Sequence, residues 1–295
     1  MKPVLAFACL FLLHPLPARS QAPTAAERQA TATWVQKLYR TDGSFAPNLE
    51  AAATSTVGST VQGIRALKYF GGELGDKSRT LAFFLSCWNA DAGGFAPKPG
   101  GTVDVRTTAL AIMGIADLDM TSQAAGQVEK GLAYVAGNAT EFEDIRIGAA
   151  AFEATRKRCP QAAKWQEEIR ARRGSDGTYG KGAAQARETA SAVVTLLRLG
   201  ADLEEKDAVL RALRAGQLKD GGWGKGDGSA DLDTCYRVMR AFFMLRARPD
   251  VGSLRGFVAR CRQADGSYAP APGAPGALPA IYYAGVISHW LDELK

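Results

Sequence analysis

The chain repeats a short phrase at a nearly fixed interval, and that repetition restricts its fold more than any other feature. An aspartate, glycine and aromatic tip is followed by an apolar run, and the pattern begins again. The tips read Asp42-Gly-Ser-Phe45, Asp91-Ala-Gly-Gly-Phe95, Asp176-Gly-Thr-Tyr179, Asp220-Gly-Gly-Trp223 and Asp265-Gly-Ser-Tyr268. Their aspartates lie 49, 85, 44 and 45 residues apart. Because 85 is close to two periods, one tip is expected to have decayed near residues 138–144, and six units are implied. A unit of this length cannot bury its own apolar face and must stack on its neighbours.

Between tips, each unit carries two segments with apolar residues three and four apart, the spacing of amphipathic helices. One set, over 25–40, 76–88, 121–137, 160–173, 203–217 and 250–263, is rich in charge and is predicted to face water. The other, over 56–70, 104–117, 143–155, 187–199, 231–246 and 279–292, is rich in Ala, Gly, Thr and Val and is predicted to lie inside. No useful length alternates with a strand's period of two. Small residues such as Ala109, Ala111, Gly114 and Gly148–Ala151 permit a tight inner circle. The expectation is therefore an all-α fold, an α/α toroid in which about six helical hairpins close into a barrel with inner and outer rings. The tip aromatics are expected to plug the seams between units, with glycine supplying the positive φ of each turn.

Residues 1–22 read as a secretory signal peptide: Lys2, an apolar run from Pro3 to Leu13, then a small-residue site at Ser20-Gln21-Ala22. The run is far short of the ~20 residues a bilayer needs, so the expected product is an exported chain of residues 23–295 with no transmembrane helix. Removing Lys2 and Arg19 takes the net charge from +6 to +4, and the basic residues are scattered, which argues against nucleic acid. Cys87, Cys159, Cys235 and Cys261 form an even set that an exported chain invites one to pair. Cys87 and Cys261 nonetheless occupy matching repeat positions, which favours buried thiols for those two.

The tips, with the helix that follows each, resemble the prenyltransferase and squalene-cyclase (squalene oxidase) repeat family, most closely the β subunits of protein prenyltransferases. The likeness covers essentially the whole chain after residue 22. It is carried by Phe84-Leu-Ser-Cys87 ahead of a glycine-aromatic tip and by Asp233-Thr-Cys235-Tyr236 in the fifth unit. In that family the last phrase binds zinc, so the resemblance implies Asp233 and Cys235 as metal ligands, zinc as cofactor and an isoprenoid as substrate of a transferase. Carboxylate and thiolate are suitable zinc donors, and a zinc-bound thiolate is the family's nucleophile.

The rest of the family's set departs from its pattern. Ile281 stands where the third ligand, a histidine, is expected, and His289 lies eight residues further along, roughly 12 Å at ~1.5 Å per residue. Asp227 and Ala230 replace the arginine and lysine that would stabilise a departing diphosphate. Tyr236 is kept, Met239 replaces an aromatic, and a histidine is missing around Ala186. Asp231-Leu-Asp233-Thr is out of phase with the acid motif of squalene-hopene-type cyclases, because Leu232 stands at the proton donor's place. The resemblance thus implies a degenerate site or a changed activity.

Charges also gather where inner helices begin, at Asp104, Arg106, Asp144, Arg146, Arg187, Glu188, Asp231 and Asp233. A closed ring brings these to one mouth, where Tyr236, Asp231, Asp104, Asp144, Arg106, Arg146 and Glu188 are candidate ligand-binding residues. Helix-dipole complementarity and salt bridges account for the same residues without a ligand. Three functions follow as alternatives: an isoprenoid-handling transferase, a non-catalytic toroid that binds a ligand or protein, or a carbohydrate-active enzyme acting on a polysaccharide through Asp104, Asp144, Glu188 and Asp231. The sequence has no Gly-x-Ser-x-Gly, phosphate-binding loop, His-Glu-x-x-His or Cys-x-x-Cys phrase to support hydrolase, nucleotide or redox chemistry.

Overall fold

A computed structural model describes residues 22–294, and the leader-like residues 1–21 lie outside the described residues. Among the described residues, twelve α-helices alternate between two rings. The outer ring is α1 (Ala25–Gln36), α3 (Lys77–Ser86), α5 (Ala125–Asn138), α7 (Ala162–Arg170), α9 (Lys206–Ala215) and α11 (Val251–Arg260). The inner ring is α2 (Val57–Phe70), α4 (Val105–Asp117), α6 (Phe142–Thr155), α8 (Gln185–Arg198), α10 (Leu232–Met244) and α12 (Leu278–Glu293). Each inner helix packs on the next, and α12 packs back on α2, so the ring closes as expected. None of these helices is long and apolar enough to cross a membrane.

Local chemistry fixes the helix starts. Asp104 caps α4 by accepting from Thr107 N–H at 2.8 Å, and Asp231 caps α10 by accepting from Thr234 N–H at 2.9 Å. Thr56 caps α2 through Ser59 N–H at 3.0 Å. These contacts satisfy amide donors that the first helical turn otherwise leaves unpaired.

The tips are one device used repeatedly. Asp42, Asp176, Asp220 and Asp265 each accept a hydrogen bond from the N–H two residues on, at 2.9–3.0 Å. The glycine between takes a positive φ, 88° at Gly43 and 89° at Gly221, a conformation that a side chain resists. The aromatic that follows is buried, and its N–H donates to the next inner helix: Phe45 to Thr60 at 3.1 Å, Phe95 to Thr108 at 2.9 Å and Tyr179 to Thr189 at 3.0 Å. The second tip differs from its expected form. Asn89, not Asp91, holds the turn, by accepting from Ala92 N–H at 2.9 Å, and Trp88–Asn89 and Gly94–Phe95 pair as a two-residue ribbon.

The decayed tip is absent, and residues 139–141 alone join α5 to α6. Trp165 of α7 does the missing aromatic's work: a Cβ added at Gly148 of α6 would lie 3.3 Å from its ring, as one at Gly63 of α2 would collide with Phe45. Closure uses side chains of the first and last units. Thr31 Oγ1 donates to Gly266 O at 2.7 Å, Trp34 Nε1 donates to Asp265 Oδ2 at 3.1 Å, and Arg262 pairs with Glu27 at 3.2 Å. Cys87, Cys159, Cys235 and Cys261 are free, buried thiols.

Candidate functional site

The phrase that resembles a zinc site is occupied by other partners. Cys235 is fully buried, and its Sγ accepts the Trp223 N–H at 3.2 Å, which is the position threonine holds at three other seams. Burial pushes its thiol well up, and nearby Asp231 adds to the effect, so the thiolate a metal needs is disfavoured. Asp233 bridges Arg187 at 3.1 Å and Arg237 at 3.4 Å. Burial alone would raise its carboxyl, but the charge of Arg237 and the hydrogen bond from Arg187 hold it below the usual range. Ile281 is buried, and His289 pairs with Glu293 at 2.9 Å near the far end of α12. Among the described residues no three His, Cys, Asp or Glu side chains are grouped to hold a metal ion. This donor set does not fit the zinc that the family phrase implies.

The other rim candidates divide by role. Asp104 and Asp231 are helix caps. Arg106 pairs with Asp144 at 2.7 Å, which joins the second and third units across the mouth. Glu188 is exposed beside a cleft described below. Only Tyr236 and Arg146 lie in the cluster that fills the centre of the ring.

That cluster contains residues the sequence reading passed over. Arg65 pairs with Asp117 at 2.6 Å, Arg198 with Glu153 at 2.9 Å, and Glu143 receives both Arg146 and Arg237 at 2.8 Å. Arg240 has no carboxylate partner; its guanidinium lies over the Trp290 ring at 4.7 Å and the Tyr236 ring at 5.9 Å. Tyr236 stacks on Tyr283 at 4.9 Å and on Trp290 at 5.7 Å, and accepts a hydrogen bond from the Tyr282 hydroxyl at 3.1 Å. All six inner helices contribute to this network. The void left beside Arg146, Arg198, Tyr236, Arg237 and Arg240 has a volume of ≈ 10 Å³, about that of one water.

Electrostatics follow from this crowding. Burial would push the Tyr236 phenol up, but Arg240, Arg198 and Arg65 outweigh it and bring it down to about 7. Tyr282, which donates to Tyr236, is driven well up by burial and by Tyr236 itself. Glu143, which burial would raise, is brought to about 2 by Arg237 and Arg146.

A second space, a notch in the rim, opens at the mouth between the third and fourth units. A cleft of ≈ 350 Å³ lies beside the N-terminal turns of α6 and α8. Phe142, Ile169, Tyr179, Arg172, Arg187 and Glu188 line it, and Ser191 is shared with the central void. Arg172 lies over Phe142 at 5.4 Å, and the buried Nε of Arg187 has no partner. No phrase in the sequence marks the central arginines.

The family model of the prenyltransferase alpha-alpha toroid domain matches residues 1–144 and 146–288. No curated protein sequence matches the chain. Among solved structures, the type II terpene cyclase MstE from Scytonema, in complex with geranylgeranyl dihydroxybenzoate, is similar with a TM-score of 0.60 and 12% identity over 92% of this chain and 96% of that one. The GH76 alpha-mannanase of Bacteroides thetaiotaomicron is similar with a TM-score of 0.62 and 14% identity over 91% and 95%. A glycosidase in complex with glucose has a TM-score of 0.60 and 13% identity over 92% and 96%. At such identities the likeness is one of fold.

Proposed function

The chain belongs to the prenyltransferase alpha-alpha toroid family, and from that premise we propose that it is a non-catalytic ligand-binding member whose seat is the rim notch and whose ligand is a small polar molecule of sugar size. The observation that carries this reading is the filled axis. An isoprenoid chain needs a long apolar channel, whereas here guanidinium groups, carboxylates and stacked tyrosines occupy the centre and leave a void of ≈ 10 Å³. The notch, at ≈ 350 Å³, is lined by aromatic and aliphatic side chains together with hydrogen-bonding groups.

Catalysis on the sugar class is the less favoured variant. A glycosidase pair needs one carboxyl held protonated and one ionised. Glu143 in the cleft, at about 2, is already ionised and held by two arginines, and Asp233 also titrates low. Asp104 and Asp231 are spent as helix caps.

Export belongs to the same proposal, because the leader-like residues 1–22 imply it. N-terminal sequencing of secreted protein tests it by beginning at Pro23. For the ligand, thermal shift of the purified chain against glucose, mannose and mannobiose tests the seat. A saturable shift in the wild-type chain that Arg187→Met abolishes supports it. A shift unaffected by that change places the ligand elsewhere and ends the reading.

A further inference from the structure

Six arginines surround the centre of the ring, and four carboxylates answer them, beginning with Asp117, which takes Arg65. Glu143 takes Arg146 and Arg237, Asp233 takes Arg237 and Arg187, and Glu153 takes Arg198. Arg240 takes none, and its Nε is buried without a hydrogen-bond partner. Even with the Tyr236 phenol drawn partly into its ionised form by these arginines, at least one positive charge is uncompensated. Arginine does not shed its proton in a protein, so burial here calls for an added negative charge.

The void among these groups decides what that charge is. Arg146, Arg198, Arg237 and Arg240 all border it, with Ser191 and Tyr236, and its volume is ≈ 10 Å³. A space of that size takes about one water-sized occupant. Phosphate, sulfate or a carboxylate does not fit without displacing the stack of Tyr236 on Trp290. A monatomic halide is the anion nearest to that size, and unlike water it neutralises. It also tolerates the apolar contact that Val194 presents at the same void, because it has no directional hydrogen-bonding requirement.

We propose that the centre of the ring is a halide site, occupied by chloride in ordinary solution, in which Arg240 and its neighbouring guanidinium groups hold one anion. The void adjoins the rim notch through Ser191, but Arg198 and Arg240 border the void and not the notch, so a variant at Arg240 tests it independently of the notch. Chloride bound to the folded chain alone stabilises it by mass action.

The test is thermal unfolding of the mature chain across a chloride series, with ionic strength held constant by gluconate. The expected result is a melting temperature that rises by about 3–5 °C for each tenfold of chloride above the midpoint, with bromide replacing chloride and sulfate failing to. Arg240→Met should lose this dependence, and Arg240→Lys should weaken its midpoint. Crystals grown in bromide should show one anomalous peak beside Arg240, which serves if the methionine variant fails to fold. Equal melting temperatures in chloride and gluconate, or a halide dependence unchanged in Arg240→Lys together with no bromide peak, would overturn the proposal.

Discussion

The main-chain N–H of Trp223 donates to Cys235 Sγ at 3.2 Å, in the slot where Thr60, Thr108 and Thr189 accept the same bond from Phe45, Phe95 and Tyr179. Cys235 is thereby a seam acceptor in a repeat. Cys235→Thr is expected to change stability by under ~1 kcal/mol, since it restores the acceptor used elsewhere. Cys235→Ala leaves a buried N–H unpaired and is expected to cost about 1–3 kcal/mol. Denaturant titration of the two variants checks the order, and an alanine variant as stable as the threonine variant would contradict the assignment.

Ring closure rests in part on Trp34 and Asp265, which lie 3.1 Å apart across the first and last units. Trp34→Phe keeps the packing and removes one bond to a carboxylate. The expected cost is about 1–2 kcal/mol, with amide exchange accelerating first in α1 and α11. Faster exchange confined to the middle units would show that closure is not what the bond supports.

Glu143 joins the third unit to the fifth by receiving Arg146 and Arg237 at 2.8 Å. Its carboxyl is lowered to about 2, with burial opposing and the two arginines prevailing. A carboxyl lowered on folding contributes stability above its unfolded value, near ~4.3, and loses it as pH falls toward the folded value. Glu143→Gln should therefore be less stable than wild type at pH 7 by about 1–2 kcal/mol, allowing for its partial exposure. The difference should shrink as pH falls from about 4 to 2. A difference independent of pH would remove charge from the explanation.

Tyr236 titrates near 7 because three arginines outweigh its burial. In halide-free buffer, one tyrosine should develop its ultraviolet phenolate band around that pH, and Tyr236→Phe should abolish it. The stability difference between the two chains should be absent below pH 7, grow between about 7 and 10, and be complete above the unfolded phenol's ~10. The opposite slope would mean that the phenol, not the phenolate, is what the arginines hold.

Most of the fold was legible because its signals are local and repeated. Asp42-Gly43 and Asp220-Gly221 declare a turn, the aromatic after each has one place to go, and apolar spacing locates both helix sets to within a few residues. The outer helices other than α5 end early, α1 at Gln36 instead of residue 40, because Tyr39 leaves the helix to pair with Phe45 in the tip. The centre was not legible. Arg65, Arg198 and Arg240 lie on three helices and meet only once the ring has closed, so no spacing in the sequence announces them. In the phrase Asp233-Thr-Cys235-Tyr236 the resemblance pointed to zinc on Asp233 and Cys235, which arginines and the Trp223 seam occupy instead. The functional interest of the phrase lies in Tyr236, the residue that faces Arg240 and Trp290.

The central claim is that a side-chain network fills the axis and leaves no channel for an isoprenoid. Equilibrium dialysis of radiolabelled farnesyl diphosphate against the mature chain, with equimolar zinc present, tests it most directly. No saturable binding is expected, and Cys235→Ala should behave as wild type does. One molecule bound per chain, and lost in Cys235→Ala, would contradict the account.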